Sequence, residues 1–326
     1  MQALRIKDDA LPNTTPHFNV HPLDRLIDAV DETKPQTSYT KKPPPIIELS
    51  SIAPGGGKSH LLYHLTALAI LSTHHAGNQA CVIILDTDNA FSITRLANQL
   101  KLLLIRNAGP ETETSEAPIN ETILSALLHV HIFRPQSLAS LIATLDSLPT
   151  YLFDKTKHYS FDREVAFVAI DSLSTFYWQD RAETEDAAFL ATTTTTTLTK
   201  PQAAYSTLST SLKVTTITFT CPAIVTNWHL GPHQQERSFR PTLPGLSPAL
   251  RLVVERLPVR KFPPGIGIEQ AQREAEDRQK AVDEAKFECT VNDWGVDERV
   301  LRKLQAAGSR FIFQINAQGV VIDDRR

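Results

Sequence analysis

Glu48-Leu-Ser-Ser-Ile-Ala-Pro-Gly-Gly-Gly-Lys-Ser-His60 is the stretch on which the reading of this chain turns. It is preceded by a short apolar run, Pro45–Leu49, and followed by apolar residues at helical spacing (Leu61, Leu62, Leu65, Leu68, Ala69). The order is therefore strand, glycine loop, helix. Three successive glycines, Gly55, Gly56 and Gly57, free backbone N–H groups to surround a phosphate chain. In such a loop the Lys58 ammonium reaches the terminal phosphates and the Ser59 hydroxyl ligates Mg²⁺. Ser59 also stands at the helix start, where the dipole adds to the anion site. The match to G-x-x-x-x-G-K-[ST] lacks its first glycine, because that position is Ile52. A β-branched residue does not readily take φ > 0, so a weaker or differently entered cradle is expected. A glycine-rich turn before a helix that begins Lys-Ser would give the same tetrapeptide, so the motif needs support from elsewhere in the chain.

Working outward, apolar runs alternate with helical patterns from Pro45 onward, the signature of a mostly parallel α/β sheet flanked by helices. Expected strands are Pro45–Leu49, Ala80–Leu85, Val130–Phe133, Val165–Ile170 and Pro222–Thr226. Expected helices run from Ser59 to about Ser72, Ser92 to Arg106, Glu121 to Leu128, Gln136 to Leu148 and Pro201 to Val214. Asn107–Asn120 reads as an acidic loop and Thr192–Thr197 as a low-complexity loop. Further on, Leu250–Val254, Phe287–Val291 and Arg310–Ile315 have the look of antiparallel strands, a C-terminal extension of the sheet. The charged stretch at about 266–286 reads as an exposed helical insertion, with i, i+4 pairs Glu274–Arg278 and Glu276–Lys280. Residues 1–44 are polar and proline-bearing and are expected to be mobile, apart from a short helix over Leu23–Val30. Residues 45–326 are then the folded core.

Composition narrows the class. The chain has 326 residues, 41% of them hydrophobic and 21% charged, which suits a globular protein with a sizeable core. A net charge of −3 makes no general demand for a polyanionic partner, so nucleic-acid binding would need a local basic surface. Cys81, Cys221 and Cys289 are far apart and odd in number, as expected in a reducing compartment. The start shows no secretory pattern and the longest apolar run is too short to cross a bilayer, so an intracellular protein without a membrane role is expected.

Polar residues end four of the expected strands, where ligands of open α/β sheets bind. They are the glycine loop with Lys58, then Asp86-Thr87-Asp88, Asp171-Ser172, and Asn227. Asp171 follows an apolar strand and has the form of the carboxylate that holds a Mg²⁺ water in P-loop hydrolases. Asp88 is placed to orient an attacking water, although it reaches one methylene less far than glutamate. His74-His75 and His129-x-His131 have no cysteine or carboxylate partner at zinc-like spacing and read as structural.

Three blocks resemble the eukaryotic RecA-like recombinase paralogues: Gly55–Ala67, Leu85-Asp-Thr-Asp88 and Ile170–Arg181. Phe311–Val320 is weakly similar to the closing hairpin of the recombinase core. The resemblance implies a RecA-like P-loop ATPase core that binds ATP and Mg²⁺. It also implies a nuclear role in homologous-recombination repair of double-strand breaks and stalled replication forks. Partners implied are another recombinase paralogue in a hetero-oligomer and single-stranded or branched DNA. By the same resemblance Gly55, Gly56, Gly57, Lys58 and Ser59 form the phosphate loop, and Ser59 and Asp171 are the metal side. Asp88 stands at the catalytic glutamate's place and Asn227 at the Asn of the Thr-Asn-Gln sensor. Ile52, Asp88 and Trp228 depart from the pattern, so weak or absent hydrolysis is expected; the alternative is an active DNA-stimulated ATPase. A third reading, a nucleotide kinase, finds no lid motif. Arg237, Arg240, Arg251, Arg256, Arg260 and Lys261 face only Glu255 in opposing charge, with Phe239 and Phe262 as the aromatics nearby. That segment reads equally as a DNA-facing loop or as a strand face meeting solvent or a partner's acids.

Overall fold

The computed structural model describes residues 18–31, 43–108, 116–190, 200–229, 246–259, 267–317 and 319–323. Among these residues the apolar runs form a nine-stranded sheet. In chain order its strands are β1 Ile46–Ser51, β2 Cys81–Asp86, β3 Val130–Phe133, β4 Val165–Asp171, β5 Ala223–Trp228, β6 Leu250–Arg256, β7 Lys286–Val291, β8 Arg310–Asn316 and β9 Gly319–Asp323. Their spatial order is β3-β2-β4-β5-β1-β6-β7-β8-β9. Neighbours from β3 to β6 run parallel, and β6 to β9 run antiparallel. The fold is thus a mixed, mostly parallel α/β sheet with an antiparallel C-terminal region. β6 differs from the expectation of a purely antiparallel strand: it pairs parallel with β1, so the change of direction falls between β6 and β7.

Side-chain alternation sends each strand's residues to two separate cores. On one face, Ile47 and Leu49 of β1 meet α1 (His21–Asp31), α2 (Lys58–Ile70) and α3 (Ile93–Ala108). On the other, Ile83 and Leu85 of β2 and Val168 and Ile170 of β4 meet α5 (Leu138–Leu152) and α7 (Lys200–Phe219). Strands covered on both sides have no polar face to show, hence the unbroken apolar runs at Cys81–Leu85 and Phe167–Ile170. α2 is buried nearly all round, which its sequence matches by being apolar on every side.

Several boundaries differ from the sequence reading. α4 spans Glu116–Leu127, so it begins inside the stretch read as acidic loop. Pro118 is tolerated in its first turn, and Glu116 pairs with Lys101 of α3 at 3.2 Å. α5 continues through Pro149 because Leu148 and Leu152 are both buried against the sheet. α7 extends to Phe219, its late threonines bonding back to the preceding turn: Thr215 to the Ser211 carbonyl and Thr218 to the Val214 carbonyl, each at 2.8 Å. Two helices were not foreseen, α6 (Tyr177–Leu190) and α10 (Glu298–Ala306). α10 is capped by the Asp297 carboxylate, which accepts from the Arg299 N–H at 2.8 Å.

The expected N-terminal helix is α1, which packs against α10 and buries Leu23, Leu26, Ile27 and Val30. The charged insertion forms α8 (Ile268–Arg273) and α9 (Ala275–Asp283), the latter without a buried residue. Glu274 and Arg278 pair there at 3.1 Å, whereas Lys280 reaches Glu284 at 3.8 Å instead of Glu276. The Thr192–Thr197 segment lies outside the described residues. No described helix is long and apolar enough to cross a membrane.

Candidate functional site

The carboxyl ends of four neighbouring parallel strands, β2, β4, β5 and β1, carry the residues singled out above. The glycine loop leaves β1 and is pressed against the antiparallel half of the sheet. Gly57 caps α2 with φ 97°, and a Cβ there would lie 2.8 Å from the Phe287 ring and 3.0 Å from the Phe313 ring. A Cβ at Gly56 would lie 2.6 Å from the Val254 carbonyl oxygen and 2.8 Å from the Ser51 Cβ. Such close contacts leave little room for a side chain, so β1, β6, β7 and β8 form a back wall that glycine approaches without displacing it. Around Gly55 the space is open. Ile52 does not take the positive φ that a glycine would supply at that position.

Lys58, the first residue of α2, is turned back into the site and is almost fully buried. Its Nζ donates to Ser51 Oγ and stands 4.7 Å from the centre of the Trp228 ring. Burial lowers its pKa to about 8, against the opposing pull of Asp171 and Asp88. Next in the helix, Ser59 Oγ lies 3.5 Å from Asp171 Oδ2. The other oxygen of Asp171 accepts from Thr226 Oγ1, and its backbone carbonyl accepts from the Thr87 N–H at 2.9 Å. Burial raises the Asp171 pKa foremost; the Thr226 bond opposes that rise, and the Asp88 charge reinforces it. The Asp171–Ser172 peptide is cis. Asp88 is exposed and accepts from Thr175 Oγ1, which also contacts Thr87 Oγ1 at 3.0 Å. Asp86 is engaged elsewhere: its carboxylate accepts from the Ala90 and Phe91 N–H groups and lies 3.2 Å from Arg134 Nε.

Lys58, Ser59, Asp88 and Asp171 are therefore brought together. Asn227 turns another way. Its amide donates to Glu48 Oε1 of β1 at 2.7 Å, while its Oδ1 has no hydrogen-bond partner among the described residues. Glu48 Oε2 in turn lies 3.3 Å from Arg251 Nε of β6, so a buried polar row crosses three strands. Desolvation raises the Glu48 pKa, and the bond from Asn227 and the charge of Arg251 oppose it. Arg251 is thereby accounted for by the interior, and Arg256 ends β6 exposed. Arg237, Phe239, Arg240, Arg260, Lys261 and Phe262 lie outside the described residues.

A cationic amine, a hydroxyl and a carboxylate, with open space around Gly55, are the kinds of group that an anion beside a hard cation needs. Sequence reasoning missed the residues that hold these groups in place: Ser51, Thr175 and Thr226. Ser51 and Thr226 are strand-end residues next to the motifs, a usable signal. Thr175 gave none. His129 Nδ1 and His131 Nε2 each lie 3.0 Å from Ser160 Oγ, and burial lowers both pKa values to about 4. They are neutral packing groups.

No protein-family model matches the chain. Over 140 residues it is 31% identical to the DNA repair protein XRCC2 of Mus musculus, covering 43% of this chain and 44% of that protein. Over 128 residues it is 27% identical to the DNA repair protein RAD51 homolog 3 of Dictyostelium discoideum, covering 37% of this chain and 30% of that protein. At the family level the chain resembles the RecA-like recombination-repair paralogues. The chain spans less than half the length of these two relatives.

Proposed function

We propose that the chain is an ATP-binding subunit of the recombinase-paralogue kind, with a RecA-like P-loop core, similar in character to X-ray repair cross-complementing protein two. In this reading it supports homologous-recombination repair of DNA breaks and stalled forks in the nucleus, together with another paralogue. The observation that carries the reading is the meeting of Lys58 and Ser59 from α2 with Asp171 from β4. Gly55, Gly56 and Gly57 would surround the phosphates, Lys58 would bind their outer oxygens, and Ser59 and Asp171 would hold Mg²⁺. The ion's chemistry when bound is to neutralise phosphate charge.

Nucleotide serves mainly as a structural ligand in this proposal. The Asp88 carboxylate is short and already accepts from Thr175, and Asn227 is bonded to Glu48, so both groups are poorly free to serve hydrolysis. Calorimetric titration with Mg-ATP is expected to show binding that Lys58→Ala weakens by tenfold or more. Binding of equal strength in that variant removes the nucleotide from this loop. Phosphate release is expected to stay near background with or without single-stranded DNA. A DNA-stimulated rate lost in Lys58→Ala would instead make the protein an active ATPase.

A further inference from the structure

Trp228 stands where its backbone cannot move freely. Its N–H donates to Ser174 Oγ at 3.1 Å, the next N–H, of His229, donates to the Ser51 carbonyl at 3.0 Å, and Trp228 is in register with Ser51 across the β5–β1 pair. The half-exposed indole lies over the Lys58 ammonium, 4.7 Å from ring centre to Nζ. An ammonium has three N–H donors. Ser51 Oγ takes one, and the face of the ring occupies a second direction. The third N–H is left for phosphate oxygens at the glycine loop, and drawing the ammonium further onto them gives up the π face.

We propose that Trp228 is a positioning residue that latches Lys58 against β1 and β5 and so sets how tightly the loop holds a polyphosphate. The proposal rests on the phosphate-loop reading above and adds the control of that site. The ring attracts the cation through its electron-rich face, and the attraction strengthens as water is excluded. Lys58 is nearly buried, so the contact belongs to the stronger end of the range. Asp171 and Asp88 are the other charges acting on Lys58, and both pull it toward the metal side. Release of the latch is therefore a transfer of the ammonium from an aromatic face to anionic oxygens.

The test uses the full chain with Trp178→Phe and Trp294→Phe, which leaves Trp228 as the only tryptophan. The probe is tripolyphosphate with Mg²⁺, which does not absorb where indole does. Three results are expected. Tripolyphosphate changes Trp228 emission saturably, with the same midpoint as calorimetry. Lys58→Met produces an emission change of the same sign without any ligand and abolishes the response to it. Trp228→Leu tightens tripolyphosphate binding roughly three- to thirtyfold, the range that a cation–π contact implies, with Trp228→Phe in between. Each variant is first checked for an unchanged melting transition, and Trp228→Phe alone decides if Trp228→Leu does not fold. Binding without an emission change, and with equal or weaker affinity in the Trp228 variants, overturns the latch and leaves the phosphate loop standing. Failure of the unsubstituted chain to bind either tripolyphosphate or Mg-ATP overturns both.

Discussion

Burial works against the charge of Lys58, and that has a direction with pH. With a pKa of about 8 in the free protein, the amine is mostly cationic at neutral pH and mostly neutral one unit above 8. An anionic ligand selects the cation, so polyphosphate affinity is expected to fall as pH rises from 7 to 9. At pH 8 binding should take up about half a proton, since about half of the free amine is neutral there. Calorimetry in buffers of different ionisation enthalpy measures this, and pH-independent binding without proton uptake contradicts it. The free fold moves the opposite way. The unfolded chain holds the Lys58 proton more tightly, so this group adds stability as pH rises above about 8. At this scale Lys58, Ser59 and Asp171 were legible in the sequence, because each ends a strand or begins a helix beside an apolar run. The partner of Asn227 was not legible. Glu48 lies 179 residues earlier, and only the β5–β1 register sets it beside Asn227.

Among the elements, α1 shows how a short amphipathic segment becomes fixed. Eleven residues alone are too few for a stable helix in water. What holds it is the apolar stripe packed on the sheet and on α10, together with Asp24, whose carboxylate accepts from the Phe18 and Val20 N–H groups at 2.7 and 3.1 Å. Leu26 is 1% exposed, so Leu26→Ala is expected to lower unfolding stability by about 2–5 kcal/mol. A urea titration should show the loss as a lower midpoint at unchanged slope, and a loss under about 1 kcal/mol would mean that α1 is dispensable to the core. Helix ends were the least legible feature. The expected helix stopped at Val214, yet the Thr215 and Thr218 hydroxyls bond inside α7 and the helix runs on to Phe219. The expected helix ended at Leu148, whereas α5 carries Pro149 within it because Leu148 and Leu152 are held by packing. α6 has no apolar period and gave no signal.

Across the whole molecule, the alternation of strand and helix announced the α/β class, but not the order of strands. That β4 lies between β2 and β5, and β5 next to β1, follows from long-range pairing that no local pattern records. β5 and β1 are central and β3 is an edge. Backbone opening is expected to be graded accordingly, with amides of β1, β5 and β4 exchanging slowest and those of β3 and β9 fastest. Native-state hydrogen exchange checks the order; faster exchange in β1 than in β9 would show that the antiparallel half is the more stable unit.

The row Asn227–Glu48–Arg251 works like a key cut for one lock. Sliding β5 or β6 by a single position against β1 would turn its polar member to the opposite side of the sheet and leave a carboxylate stranded among hydrocarbon. Misaligned versions of the sheet are penalised in this way, so the two halves of the molecule have one alignment in which to join.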